Sequence, residues 1–125
     1  MKKLIFYICP HCKNVVIKLH DAGVPLVCCG KVMDELVANT TDGATEKHVP
    51  QVHIEGNKVE VQVGSVLHPS LQEHHIEFIV VETENGFSVH YLNPTDVPQA
   101  SFLVNEKVIA VYEYCNLHGL WKTLV

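Results

Sequence analysis

No stretch of the chain approaches the roughly 18 consecutive apolar residues of a membrane span, and no segment reads as a long amphipathic helix. Basic residues are in deficit: 9 Lys and Arg stand against 14 Asp and Glu, a formal charge of −5. Phosphate binding needs a basic face, so nucleic acid is not expected as the main partner. There is no internal repeat at solenoid spacing and no low-complexity tract. The start, Met1-Lys2-Lys3 followed by Leu4 to Ile8, faintly imitates a signal peptide. Its apolar run is shorter than the ~7–15 residues such a segment needs, and no small-residue cleavage site follows. The chain is therefore expected in the cytoplasm, without a membrane partner. Charged residues are only 18% of the chain and hydrophobic ones 47%, enough to bury a core and to argue against disorder.

What the sequence does have is metal-capable side chains: five Cys and nine His in 125 residues. Cys in a reducing compartment more often signals metal or catalysis than disulfides. The chain divides near residue 40. Cys9, Cys12, Cys28 and Cys29 lie before it; seven of the nine His and Cys115 lie after it. Asn39-Thr40-Thr41-Asp42-Gly43-Ala44 is small and polar, as suits a linker. The expected domains are 1–38 and 39–125. A unit below ~40 residues needs a metal, disulfides or a partner to hold it.

Beyond residue 48 the hydrophobic pattern has period two. Val59, Val61 and Val63 alternate with Lys58, Glu60 and Gln62; Phe87, Val89 and Tyr91 alternate with Ser88 and His90. Turn residues punctuate these runs at Glu55-Gly56-Asn57, Glu84-Asn85-Gly86, Asn93-Pro94-Thr95-Asp96 and Asn105-Glu106-Lys107. The pattern predicts strands over 49–54, 58–65, 75–83, 86–92, 99–104, 107–114 and 120–124. Seven short strands in this space predict a mainly β protein whose larger domain is an immunoglobulin-like β-sandwich.

Cys9-Pro10-His11-Cys12 is a C-x-x-C knuckle, and Cys28-Cys29 supplies two more thiols. Four thiolates suit a tetrahedral zinc or iron site. Adjacent Cα atoms lie about 3.8 Å apart, too close for a disulfide of ordinary geometry. The adjacent pair should also distort the tetrahedron away from the two-knuckle arrangement. His11 is expected to be exposed, because four Cys already fill such a shell.

Strand parity brings a second group together. If consecutive strands reverse direction, odd strands start and even strands end at the same pole. His48 and His74 precede strands one and three; His68 and Cys115 follow strands two and six, with His118 in the loop of Cys115. Any one of these histidines alone would be an ordinary surface residue, but five metal-capable residues at one pole form a site. Zinc rarely takes five protein ligands. Iron accepts five and keeps a sixth position open, and a thiolate opposite that position pushes electron density toward a bound ligand. Fe²⁺ with neutral imidazoles and one thiolate carries a local charge of +1, suited to a small anion. His20, His53 and His90 gain no such support, and His75, next to His74 on a strand, should point to the other face.

These residues resemble the desulfoferrodoxin family, the two-iron class of superoxide reductase, over essentially the whole chain. The matching pieces are Cys-Pro-His-Cys at 9–12, Leu-Val-Cys-Cys-Gly at 26–30, Thr41-Asp42-Gly43-Ala44, Glu46-Lys47-His48-Val49-Pro50, Val63-Gly64-Ser65-Val66 with His68-Pro69, and His74. The most specific is Glu113-Tyr114-Cys115-Asn116-Leu117-His118-Gly119-Leu120-Trp121-Lys122. The resemblance implies a desulforedoxin- or rubredoxin-like Fe(Cys)₄ first domain. It implies a second iron with His48, His68, His74 and His118 equatorial and Cys115 axial, hence two irons per chain. It further implies reduction of superoxide to hydrogen peroxide, an electron donor such as rubredoxin, and a homodimer. The residues matching Glu46 and Lys47 sit, in the family, on a mobile loop over the open position: the Lys attracts superoxide and helps supply protons, and the Glu can occupy the sixth position once iron is oxidised. His75 departs from the family, where a Tyr or Trp is expected. Two other classes fit parts of the sequence: an electron-transfer or metal-binding interaction module, and a superoxide dismutase.

Overall fold

The computed structural model describes residues 4–125. Met1, Lys2 and Lys3, which open the leader-like stretch, lie outside the described residues. The chain forms two compact units that divide between Val37 and Ala38.

The first unit contains five short strands: β1 Phe6–Ile8, β2 Val15–Ile17, β3 Val27–Cys28, β4 Lys31–Val32 and β5 Asp34–Leu36. The order β2-β1-β5 makes one antiparallel sheet, and β3-β4 a hairpin. Among its described residues only Phe6, Cys9 and Met33 are buried hydrophobics. That is far too little apolar area to offset the chain entropy of ordering more than 30 residues, so the unit depends on what its cysteines hold.

The second unit has its own core. Strands β6 Pro50–Glu55, β7 Lys58–Val63 and β10 Gln99–Leu103 form one sheet in the order β10-β7-β6. Strands β8 Ile76–Thr83, β9 Gly86–Tyr91, β11 Val108–Cys115 and β12 Gly119–Leu124 form the other in the order β12-β11-β8-β9. All pairings are antiparallel. This is the expected seven-stranded sandwich, its inner faces meeting at Val59, Val61, Val63, Ile79, Val81, Phe102 and Val111. In β7 the alternation is direct: Val59, Val61 and Val63 point inward while Lys58 and Glu60 are exposed. The central strand β11 is buried along nearly its whole length.

Three local differences from the sequence reading bear on the site. Residues Thr45–His48 form a single helical turn, α1, just before β6. Strand β7 stops at Val63 because Gly64 turns into the left-handed region (φ +83°). The expected linker is pinned instead of loose: the Asn39 N–H donates to Leu120 O at 3.0 Å, its Nδ2 to Lys122 O at 3.2 Å, and its Oδ1 accepts from the Lys122 N–H at 2.9 Å. A side-chain amide there reproduces both halves of a strand pairing along β12.

Candidate metal centres

In the first unit the four cysteines converge, with their sulfurs all within 4.8 Å of one another. Cys12 Sγ and Cys28 Sγ are 3.6 Å apart, and Cys28 Sγ and Cys29 Sγ 4.0 Å. Four sulfurs ~2.3 Å from a shared tetrahedral ion would sit ~3.8 Å apart, so the set fits a metal. All the cysteines are free. The knuckle is held open by backbone: the Lys13 N–H donates to Cys9 O at 3.0 Å, and the Cys12 N–H to Cys9 Sγ at 3.4 Å. That N–H pulls the Cys9 thiol down to about 6, against its burial.

A turn brings the adjacent pair to one side. Strands β3 and β4 are joined by Cys29-Gly30, both at positive φ (54° and 70°). This is the two-residue hairpin loop that needs left-handed backbone at both positions. The turn swings Cys29 back beside Cys28, where a straight strand would send neighbouring side chains to opposite faces. Cys12, Cys9 and Cys28 together push the Cys29 thiol up to about 12. Thiols this close cannot all ionise without a cation among them, and a metal removes that conflict. His11 is exposed.

At one pole of the sandwich the second group assembles. Pro50 pairs with Val63, and Cys115 with both Ile76 and Gly119, so the starts of β6, β8 and β12 meet the ends of β7 and β11. The register of β11 against β8 slips between Tyr114 and Cys115, a bulge that re-aims the strand end where Cys115 projects. The rings of His48, His68, His74 and His118 then form a square. Neighbouring centroids are 4.7, 4.6, 5.0 and 4.8 Å apart around the cycle, and the His48–His74 diagonal is 6.4 Å. Neighbouring rings stand 72–88° to each other, like propeller blades.

The ring nitrogens point inward. His48 Nδ1 lies 2.8 Å from Ala44 O, and His68 Nδ1 2.7 Å from Pro69 O. A carbonyl only accepts, so each Nδ1 carries the proton and each Nε2 a lone pair. Those Nε2 atoms are 3.2 Å apart, and His118 Nδ1 is 3.1 Å from His48 Nε2. Ligands ~2.1 Å from one ion at right angles would be ~3 Å apart. Lone pairs aimed together at this distance repel unless a cation lies among them. His74 Nε2 is buried with no hydrogen-bond partner, as an atom reserved for a metal would be. Cys115 Sγ is 3.5 Å from His68 Nε2 and 4.0 Å from His118 Nδ1, opposite corners of the square, which puts the sulfur near its axis.

Burial pushes the imidazoles of His48, His68 and His74 down, His68 to about 4, so all three are neutral at pH 7. Burial pushes the Cys115 thiol up, so a metal must displace its proton. Glu46 and Lys47 lie on α1 immediately before His48, both exposed. The Glu46 carbonyl is gripped by the Val66 N–H at 2.9 Å and Ser65 Oγ at 3.3 Å. Gly64 makes this fit possible: a Cβ there would lie 2.3 Å from Val66 O and 2.7 Å from Glu46 O.

His20, His53 and His90 are exposed and outside both groups, and His75 turns its Nδ1 to Leu71 O at 3.0 Å. Sequence reasoning missed several residues that shape the pole. Trp121 stacks on His48 at 4.9 Å and donates Nε1–H to His118 O at 3.0 Å. A Cβ on Gly43 would meet ring atoms of both His118 and His48 at 3.3 Å. Glu113 is fully buried, two residues before Cys115, and burial raises its carboxyl well above the usual range. The lone Trp and the Asn between Cys115 and His118 were the available signals.

The family model described as Desulfoferrodoxin matches residues 40–124. A desulfoferrodoxin from Nitratidesulfovibrio vulgaris is 44% identical over 116 residues, covering 93% of this chain and 92% of that protein. A desulfoferrodoxin homolog from Archaeoglobus fulgidus is 44% identical over 117 residues, covering 94% of each. Among solved structures, the superoxide reductase from Treponema pallidum superposes with a TM-score of 0.81 at 32% identity, covering 98% of this chain and 99% of that one.

Proposed function

The chain belongs to the desulfoferrodoxin family, and from that membership and its second site we infer that it is a superoxide reductase, an iron oxidoreductase. The observation that carries this reading is the square of four inward-facing imidazoles with the Cys115 sulfur near its axis. The reaction is O₂⁻ plus one electron and two protons to hydrogen peroxide. His48, His68, His74, His118 and Cys115 would hold the iron, which when bound would supply the electron.

The rest is the work of the chain. The Ala44 and Pro69 carbonyls lock His48 and His68 in the tautomer that presents Nε2. Trp121 covers one face of the His48 ring and keeps bulk water from it. Lys47 carries a positive charge next to His48 on a molecule of net charge −5. It draws the anion toward this pole and holds a proton at Nζ for the reduced oxygen, with water the second source. Glu46, exposed on the same turn, is the carboxylate that would approach the iron after turnover.

The first unit holds a second iron on Cys9, Cys12, Cys28 and Cys29. The donor is a small redox protein of the rubredoxin kind, and the chain works in the cytoplasm as a homodimer. Five exposed aliphatic residues on the first unit, Leu19, Val24, Val27, Val32 and Val37, support a partner surface there.

The test is stoichiometric. Ferrous protein prepared without oxygen receives a known, substoichiometric dose of superoxide. One peroxide per superoxide, with matching iron oxidation and no oxygen release, is expected. One peroxide per two superoxides, with oxygen released, would make the protein a dismutase. A Lys47→Ala variant should react more slowly, with a rate less dependent on ionic strength. An unchanged rate would remove Lys47 from the mechanism.

A further inference from the structure

The four imidazoles of the second site are not held alike. His48 and His68 are fixed by their own ring N–H groups on carbonyls, and the His118 carbonyl is tied to Trp121. Among the described residues the His74 ring makes no hydrogen bond at all, and its Nε2 is buried without a partner. Its position has to come from its backbone. Locally that backbone forms a closed turn: the His74 N–H donates to Leu71 O at 3.1 Å, and the Leu71 N–H to His74 O at 2.9 Å. A turn bonded to itself does not fix where it stands relative to the sheet.

Asn116 provides that tie. It follows Cys115 at the end of β11 and is half-buried. Its Nδ2 donates to Glu73 O at 3.0 Å, and its Oδ1 accepts from the His75 N–H at 2.9 Å. Its own N–H donates to His75 O at 3.2 Å. One residue thus bonds the peptide groups on both sides of His74, and it is covalently joined to the residue that bears the axial sulfur. We propose that Asn116 is a positioning residue that locks the His74 ring to the strand end carrying Cys115, fixing one corner of the square against the axis. The proposal rests on the reading that these five side chains hold iron. It requires an amide, because the two side-chain bonds need one donor and one acceptor at adjacent atoms.

Two variants of the full chain test it. Asn116→Ala keeps the backbone N–H bond and loses both side-chain bonds. Asn116→Asp keeps the acceptor and sets a carboxylate oxygen against the Glu73 carbonyl. Ferrous iron affinity at the second site is measured by competition with a chelator, well below the melting temperature, together with the visible spectrum of the oxidised site. The far-ultraviolet circular dichroism of the same samples, to which the seven sandwich strands contribute most, is the internal control for folding, and the absorption of the Cys₄ centre is the control for metal loading elsewhere in the molecule. Groups that orient metal ligands typically cost 10–100-fold in metal affinity when removed. Asn116→Ala should lose affinity in that range and shift the spectrum, with Asn116→Asp intermediate and the Cys₄ absorption unchanged. Affinity within about twofold of the parent with the parent's spectrum would overturn the proposal, as would a lower melting temperature with unchanged affinity. Should Asn116→Ala fail to fold, unchanged affinity in Asn116→Asp overturns it equally. A parent chain that takes up iron at the Cys₄ centre and none in the sandwich would refute the five-ligand reading itself, an outcome separate from failure of the clamp.

Discussion

At the residue scale, burial sets the protonation of His48, His68, His74 and Cys115, and it does so before any metal binds. His68 shows the consequence for stability. Its imidazole is held down to about 4 in the fold against 6.5 ordinarily, chiefly by burial. Between these values the unfolded chain binds the proton and the folded chain does not, so stability rises with pH across this window. The melting temperature of the metal-free sandwich should therefore fall as pH drops from about 6.5 toward 4. Replacing His68 with a residue that does not titrate should flatten that slope. Glu113 makes a second case. Its two oxygens are buried without hydrogen-bond partners among the described residues, and burial keeps its carboxyl neutral. An unsatisfied buried polar group costs roughly 1–3 kcal/mol. Glu113→Leu should raise the melting temperature; a fall would mean that ordered water satisfies the carboxyl.

Elements are where the sequence was most legible and where its silence was most instructive. The seven sandwich strands lie within two residues of the spans that alternation and turn residues predict, because period two is written in the side chains. The pole was legible for the same reason: strand parity is topology, and the antiparallel pairings obey it. What stayed hidden were features carried by backbone and space. Helix α1 is one turn with no capping side chain, too short for any periodicity to show. Nothing in the letters reveals that Asn39 pairs with β12 like a strand, or that Gly64 sits where a methyl cannot. Gly64 combines a positive φ with a Cβ position 2.3 Å from Val66 O. Gly64→Ala should cost more than about 1 kcal/mol. It should also disturb Glu46 and Lys47, whose turn it supports, so slower reaction with superoxide should accompany a lower melting temperature. Loss of stability alone would separate the turn from the chemistry.

For the whole molecule, the division between Val37 and Ala38 separates two ways of being stable. The first unit leans on its cysteines, while the sandwich has a full apolar core. Cys9→Ser should abolish the Cys₄ absorption and unfold the first unit, yet leave iron binding and peroxide production by the sandwich in place. Loss of both would show that the first centre is needed for the second. The exposed aliphatics of the first unit also predict that the assembled protein sediments as a dimer, and charged substitutions at Val27 and Val32 should shift it toward monomer.

The two ligand sets differ, too, in when they can exist. The four thiols are all present by Cys29, and one short hairpin and one knuckle bring them together. The square runs from His48 to His118 and has no geometry until β12 has paired with β11. A chain emerging residue by residue can close the first centre long before the second is even drawn. Chain order thus permits one ion to be captured by a nascent chain, while the other must find a finished fold.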